Sequence, residues 1–409
     1  MVGVDAAGGI ILGGTLTGTL NLGGGQLSSA GGEDVAVARL DGAGNHLWSK
    51  RFGDGGDQNL GSIATDGQNQ VVAVGTFSGD LGLGATLAGA PFGSAFIASF
   101  DMLGNLAWRK GVVDSGKSSA RGVTVALGGA PVVTGGFSGN PDFGGGPVLP
   151  APGGNGVFVA SFGSSGVHIW SKGYACASQD GCSGNAVAIA PASGLVVTGW
   201  YFGGIDLGGG MLPDSVSSNV FVAKIGPGGA HLWSQGFVTQ EDSSSGNGIA
   251  VDASGNVIVT GGSPTPIDFG GGMLSGGAFI VKFDPAGNHV WSKTFGAAPS
   301  TAVGNGIALD AAGDIVVTGS FSGTVNFGGG PLTAAGGQDV FVLKLDPQGN
   351  HLWSRRFGDS QAQRGTSVAF ATAKEIVVTG NFSGLVDFGG GMLPSQSPDD
   401  LFLARYLTP

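Results

Sequence analysis

The sequence predicts an all-β fold: a seven-bladed β-propeller of four-stranded antiparallel blades, the last of which lacks its outer strand. Three observations predict it. A motif ending in tryptophan recurs at Trp48, Trp108, Trp170, Trp233, Trp291 and Trp353, at spacings of 60, 62, 63, 58 and 62 residues. A second motif, typified by VTGSFSGTVNFGGG at 317–330, occurs seven times, at 12–25, 73–85, 133–146, 197–210, 259–272, 317–330 and 378–391. Within each period the apolar residues alternate two by two between Gly, Asn, Asp and Pro turn signals, and no stretch shows an apolar 3.6 period long enough for a helix. Four short strands in a period of about 40–60 residues are the unit of a propeller blade. The chain is one domain over 1–409, in repeats of approximately 1–57, 58–117, 118–182, 183–245, 246–302, 303–362 and 363–409.

Repeat five shows the order of elements. Strand A is GIAVD (248–252), and the turn ASGN leads to strand B, VIVTG (257–261). A glycine-rich stretch then reaches strand C, AFIVKFD (278–284), and PAGN turns into strand D, HVWSKTF (289–295). The first repeat opens on strand A, VGVD, and the last closes on strand C, DDLFLARYLTP, so strands A, B and C occur seven times but strand D six. Either blade seven has three strands, or a preceding segment of the polypeptide carries another WSKxFG-like strand. An open edge is otherwise an aggregation hazard.

The run GNGIAVDASGNVIVTG followed by FIVKFDPAGNHVWSKTFG resembles the bacterial SBBP repeat, and the resemblance covers nearly the whole chain. It implies a propeller of the kind found in exported or surface proteins. It implies no defined reaction and supplies no catalytic residues. The LD..G..LW half is also similar to PQQ-type repeats, whose tryptophan packs between neighbouring blades.

Glycine and proline make up 103 of 409 residues (85 and 18), a fraction that would suggest low complexity if it had no period. Only 11% of residues are charged, with a net charge of −11, and no basic stripe exists, which argues against nucleic acid as a partner. No apolar run reaches the 18–20 residues that span a bilayer, and no signal peptide is visible at the N-terminus. The expected location is extracellular or at the cell surface, with the cytoplasm as the alternative. Cys176 and Cys182, in CASQDGC, suit a disulfide closing a small loop; free thiols are the alternative.

All five histidines, His46, His168, His231, His289 and His351, stand two residues before a motif tryptophan. Residues two apart share a face of a strand, so each histidine lies beside its tryptophan. Strand D is outermost, roughly 20 Å from the axis and roughly 17 Å from the next strand D, given strand spacings of about 4.8 Å. Histidines on different blades therefore cannot share one metal, which needs bonds of about 2.0–2.1 Å. Repeat two carries Leu106 in the same place. The expectation is structural: the imidazole bonds a neighbouring backbone group and the tryptophan fills the gap between blades.

Candidate chemistry is sparse. GVVDSGKS at 111–118 matches the P-loop pattern, but a strand, SARGVTVAL, follows where phosphate binding needs a helix N-terminus. The Asp or Asn before each FGGG loop (Asn21, Asp142, Asp206, Asp268, Asn326, Asp387) is expected to satisfy turn N–H groups, and one per blade does not cluster for calcium. Three glutamates, Glu33, Glu241 and Glu375, offer no obvious carboxylate pair for glycoside hydrolysis. No catalytic, cofactor or metal site is expected.

Binding is expected instead on the face carrying the B–C and D–A loops, because the A–B and C–D turns are short and alike. Candidates in the D–A loops are Asp54, Asp57, Asn59, Asp114, Lys117, Arg121, Gln179, Asp180, Gln240, Glu241, Asp242, Asp359, Gln363 and Arg364. Arg121, Asn185, Asn247 and Asn305 hold equivalent positions near the start of strand A, where they ring the channel mouth. Trp200 and Tyr201 offer a pair for stacking on a sugar, against the plainer expectation that Trp200 fills space. The reading is a non-catalytic, monomeric scaffold without a cofactor, recognising a protein or polysaccharide. A lectin-like sugar binder is the alternative, and a glycosidase or lyase is third.

Overall fold

In the computed structural model the chain closes into a ring of seven sheets. It describes residues 1–409 apart from 67–69, 85–86, 88–92, 113–115, 127, 149–153, 179–180, 192–193, 215, 240–242, 398 and 409. The inner strands A are Val2–Val4, Gln58–Thr65, Lys117–Ala126, Cys182–Ala190, Ser245–Val251, Thr301–Leu309 and Gln363–Thr372. Strands B are Ile10–Leu16, Val71–Phe77, Ala130–Ser138, Gly194–Tyr201, Val257–Ser263, Ile315–Ser322 and Glu375–Phe382. Strands C are Asp34–Leu40, Ser94–Phe100, Asn155–Phe162, Asn219–Ile225, Gly277–Phe283, Asp339–Leu345 and Asp400–Leu407. Strands D are His46–Phe52, Leu106–Gly111, His168–Ala175, His231–Phe237, His289–Phe295 and His351–Phe357. Each blade pairs A–B–C–D antiparallel, and blade seven has A, B and C alone.

Both faces of strands B and C are covered, so these strands read as nearly continuous apolar runs. Gly277–Phe283 and Asp339–Leu345 are buried at every residue. The cores lie between blades. One cluster joins Val35, Val37 and Trp48 of blade one to Val71, Phe96 and Phe100 of blade two. Each buried VTG threonine of strand B donates to a strand C carbonyl, as Thr260 Oγ1 does to Phe279 O at 2.9 Å. Strand A of blade one sits between those of blades two and seven. The ring closes where Val2 N donates to Ser367 Oγ at 3.2 Å.

The B–C connections are not free loops. In four blades the GGG segment, preceded by phenylalanine in three and by Leu22 in blade one, folds into a small hairpin, as at Thr324–Asn326 with Pro331–Thr333. Its phenylalanine packs on strand C of the same blade: the Phe327–Phe341 and Phe388–Phe402 centroids are 4.6 and 4.3 Å apart. The residue before FGGG closes the turn as expected, with Asp268 Oδ1 accepting from the N–H groups of Gly270 and Gly272 at 2.7 and 2.9 Å.

The histidines receive a more specific explanation than expected. Each ring lies over the middle glycine of its own blade's GGG run: Gly24, Gly145, Gly209, Gly271 and Gly329 have no room for a side chain beneath His46, His168, His231, His289 and His351. The hydrogen bond goes to a serine hydroxyl three residues on, not to backbone, as between His289 Nε2 and Ser292 Oγ at 2.9 Å. A bulge between the histidine and its tryptophan in these strands makes that turn possible. The tryptophans bridge blades. Trp48, Trp108, Trp233 and Trp291 donate from Nε1 to the C–D turns of the next blade, at Met102, Ser164, Pro285 and Pro347, over 2.8–3.3 Å. Each of their rings covers that turn's glycine, and so does the Trp170 ring at Gly229.

Candidate functional site

Strand A of every blade from two to seven carries a residue outside the pairing register at or before its middle, and that of blade seven a second, Ala371, near its end. The first six are Gly61, Arg121, Asn185, Asn247, Asn305 and Thr366. A β-bulge re-aims one side chain and is common beside functional sites. Here those six bulge residues line one cavity of about 500 Å³ at the centre of the ring. The cavity is also lined by Asn59 and Arg364 from the starts of strands A and by Thr76 and Asn381 from the ends of strands B, so it lies toward the B–C and D–A end of the channel. The GN and RGT pairs of the sequence follow from this geometry. The glycine preceding Asn247 has no room for a Cβ beside Thr198 of the previous blade, and the same holds at Gly184, Gly304 and Gly365.

The asparagines are held in place from one blade to the next. Asn185 Nδ2 donates to Gly246 O, Asn247 Nδ2 to Gly304 O and Asn305 Nδ2 to Gly365 O, at 3.0, 3.0 and 2.8 Å. Asn305 Oδ1 accepts from Arg364 Nη2 at 3.2 Å, Asn247 Oδ1 accepts from Ser245 Oγ at 2.9 Å, and Asn185 Oδ1 is buried with no donor. Arg121 makes no hydrogen bond or ion pair among the described residues. Arg121 is exposed, yet the protein around it lowers its pKa through desolvation. Arg121 and Arg364 are the charged side chains of the lining, and no described carboxylate joins them. In a chain of net charge −11 the channel mouth is cationic.

Arg121, Asn185, Asn247 and Asn305 thus come together, as their equivalence in the repeats suggests. The loop candidates divide. Asn59 and Arg364 reach the cavity. Asp54 and Asp359 are consumed in matching clamps: Gln58 Nε2 donates to Asp54 Oδ1 at 2.9 Å and Gln363 Nε2 to Asp359 Oδ1 at 2.6 Å. Asp57 Oδ1 accepts from Glu33 N at 3.3 Å, and Lys117 opens strand A of blade three. Asp114, Gln179, Asp180, Gln240, Glu241 and Asp242 lie outside the described residues, as does part of GVVDSGKS, whose Lys117 begins a strand and not a helix.

Trp200 and Tyr201 do not form an exposed stacking pair. Neighbours in a strand point to opposite faces. Tyr201 is 0% exposed, in the place that Phe321 and Phe382 hold in other blades, and its hydroxyl donates to Pro213 O at 2.5 Å. Trp200 is half-buried on the other face. Cys176 and Cys182 are bonded, with Cα atoms 6.2 Å apart in the same core cluster as Tyr201. Among the described residues no three His, Cys, Asp or Glu side chains gather as metal ligands, and no helix is long and apolar enough to cross a membrane. The bulge ring is what sequence reasoning missed. Its signal was the Gly-Asn pair that recurs at 184–185, 246–247 and 304–305 in three of the strands A.

No family model matches the chain. An uncharacterised WD repeat-containing protein, L264, of Acanthamoeba polyphaga mimivirus is 24% identical across 88% of this chain and 32% of its own length, so the chain spans about a third of that relative. Among solved structures, the β-propeller domain of the Trilobed protease from Pyrococcus furiosus aligns over 100% of this chain and 93% of its own at 10% identity and a TM-score of 0.45. A protein of unknown function from Bacteroides caccae aligns over 84% and 93% at 11% identity and a TM-score of 0.42. The chain is a seven-bladed β-propeller.

Proposed function

We propose that this chain is a non-catalytic binding scaffold that takes a protein or polymer on the face of the B–C and D–A loops, with an acidic group of that ligand entering the central cup. One observation carries the reading: six bulges turn one residue each into a single cavity whose charged side chains are Arg121 and Arg364, without a carboxylate beside them. Two arginines with no internal counter-charge favour a ligand that brings one. The side chains of the cup are mainly amides, hydroxyls and guanidinium groups, which supports binding over catalysis. The name of the WD repeat-containing relative fits an interaction role. The resemblance to SBBP repeats and the Cys176–Cys182 bond favour an exported protein. A lectin reading shifts from Trp200 and Tyr201 to the same cup, whose amides and hydroxyls suit sugar hydroxyls.

The test is binding to arrays of acidic and neutral peptides and glycans, with the wild type beside an Arg121→Ala/Arg364→Ala double variant. Acidic ligands are expected to bind, to weaken with salt, and to lose about ten-fold or more in the variant. Binding that ignores both arginines, or that prefers neutral ligands, overturns the reading.

A further inference from the structure

Below the cup the channel narrows into a second chamber. It holds about 170 Å³ against about 500 Å³ for the cup, and Val123, Val187, Ile249, Ile307 and Val368 border it. Each of these stands two residues after a cup residue on the same strand A: Arg121, Asn185, Asn247, Asn305 and Thr366. Those five cup residues border both chambers, as does Met1, so the two spaces are continuous. A strand rises about 3.3 Å per residue, which places the aliphatic ring about 7 Å deeper than the polar one. The residue between the two rings is small. A Cβ at Gly122 or Gly306 meets the backbone of the next strand A at 2.9 Å, and this close approach holds the rings in register around the channel.

The upper ring is rich in donors. Arg121 and Arg364 are exposed at the mouth. Asn247 Nδ2 and Asn305 Nδ2 each spend one hydrogen on a carbonyl of the next blade, and an amide has two to give. No described carboxylate borders either chamber. A ligand that satisfies both levels carries an acceptor-only anion within about 7 Å of a compact aliphatic group. An apolar cavity of about 150 Å³ takes benzene, so the lower chamber suits one side chain and not a long alkyl tail. The taper also favours a free end over the middle of a chain, whose backbone continues on both sides of any acidic residue.

We infer that the ligand of the cup is the C-terminal end of a polypeptide whose last residue is Val, Ile or Leu. The terminal carboxylate takes its counter-charge from Arg121 and Arg364, and the last side chain descends into the ring of valines and isoleucines. A chain end is the place in a polypeptide where a carboxylate and an aliphatic side chain share one residue, and capture of that carboxylate by converging donors is a recurring mode of recognition. The inference rests on the acidic-ligand reading of the cup and narrows it to one chemical group.

The probes are fluorescein-labelled hexapeptides followed by anisotropy. Ser-Gly-Ser-Gly-Ser-Ile with a free carboxylate is expected to bind one to one. Amidating its end, or replacing the last residue by glycine, is expected to weaken it about ten-fold or more. The Arg121→Ala/Arg364→Ala variant is expected to lose it. Ile307→Phe enlarges a half-buried member of the lower ring, and is expected to abolish the advantage of isoleucine over glycine while the glycine-ended acid binds as before. Should that variant melt early, the amide and glycine comparisons on the wild type decide alone. Equal binding of the isoleucine- and glycine-ended acids overturns the inference. So does an amidated peptide with an internal aspartate that binds as tightly and still needs both arginines, a result that leaves the cup an acid site. N-acetylisoleucine competing as strongly as the hexapeptide also overturns it, in favour of a small carboxylic acid. Binding that ignores both arginines, or no binding by any acidic probe, removes the acidic-ligand reading together with this one.

Discussion

At the scale of single residues, the repeated HLWS motif is two separate devices. The histidine holds its own blade's hairpin down, and the tryptophan ties that blade to the next. Glycine supplies the receiving surface in both, which makes matched substitutions informative. Gly329→Ala drives a methyl into the His351 ring, so it is expected to cost about 1–3 kcal/mol. Gly390→Ala meets open space and is expected to change stability by no more than about 0.5 kcal/mol. Urea denaturation of the pair checks this, and equal effects would show that the histidine platform carries no weight. Trp233→Ala removes a ring lying on Gly287 and a bond to Pro285 O, and is expected to cost about 3 kcal/mol. Trp353→Ala should cost less, since its Nε1 has no acceptor to lose. Indistinguishable melting of Trp233→Ala and wild type would contradict the bridging role.

At the scale of elements, four of the six C–D turns are built by an aspartate in a fixed way, at Asp41, Asp101, Asp284 and Asp346. Asp284 Oδ1 accepts from the N–H groups of Ala286 and Asn288 at 2.9 and 2.8 Å, and Oδ2 accepts from Asn288 Nδ2 at 2.8 Å. Asp41 and Asp101 do the same with Asn45 and Asn105. In all three the side-chain bond from asparagine, followed by backbone N–H groups, holds the carboxyl below its usual pKa. A depressed folded-state pKa adds stability above the unfolded value and loses it as pH falls through the folded one. Asp339 runs the other way, because its burial raises its pKa despite Arg356. The three turn aspartates outnumber it. We therefore expect the urea midpoint to hold from pH 8 to 5 and to fall below about pH 4, the ordinary aspartate range. Asp284→Asn should flatten that fall, and an unchanged slope would remove the turn from the account. These turns were legible in the sequence as DPAGN and DPQGN, and so were the strands, through alternation and the period of their tryptophans. The bulges were not, because an extra residue in a strand leaves the hydrophobic pattern nearly intact on either side. The FGGG stretches read as loops since glycine hides how tightly a phenylalanine and an aspartate pin them. Trp200 and Tyr201 looked like a pair because they are adjacent, though a strand sends neighbours to opposite sides.

At the scale of the whole molecule, the ring is a series of interfaces of unequal strength. A closed ring has no free edge between blades, so each interface is supported by both neighbours, except where one blade is incomplete. Between blades seven and one the buried core shrinks to Val2, Ile10, Leu40 and Val377, with no tryptophan on Gly44. Val2–Val4 is also the shortest inner strand, and Ser367 is the side chain that ties it across. Local opening follows the region with the fewest buried apolar contacts and the most exposed backbone bonds. Amide hydrogen exchange should therefore be fastest, among strands, in Val2–Val4 and Asp400–Leu407, and slowest in Gly277–Phe283 and Asp339–Leu345, whose residues are all buried. Deuterium uptake by peptide mass spectrometry separates these strands directly. Uniform protection around the ring would mean that blade seven is as firmly held as the others, and the unequal cores would then have no energetic consequence. Faster exchange at blade seven alone would place the first opening of the ring at the edge where strand D is absent.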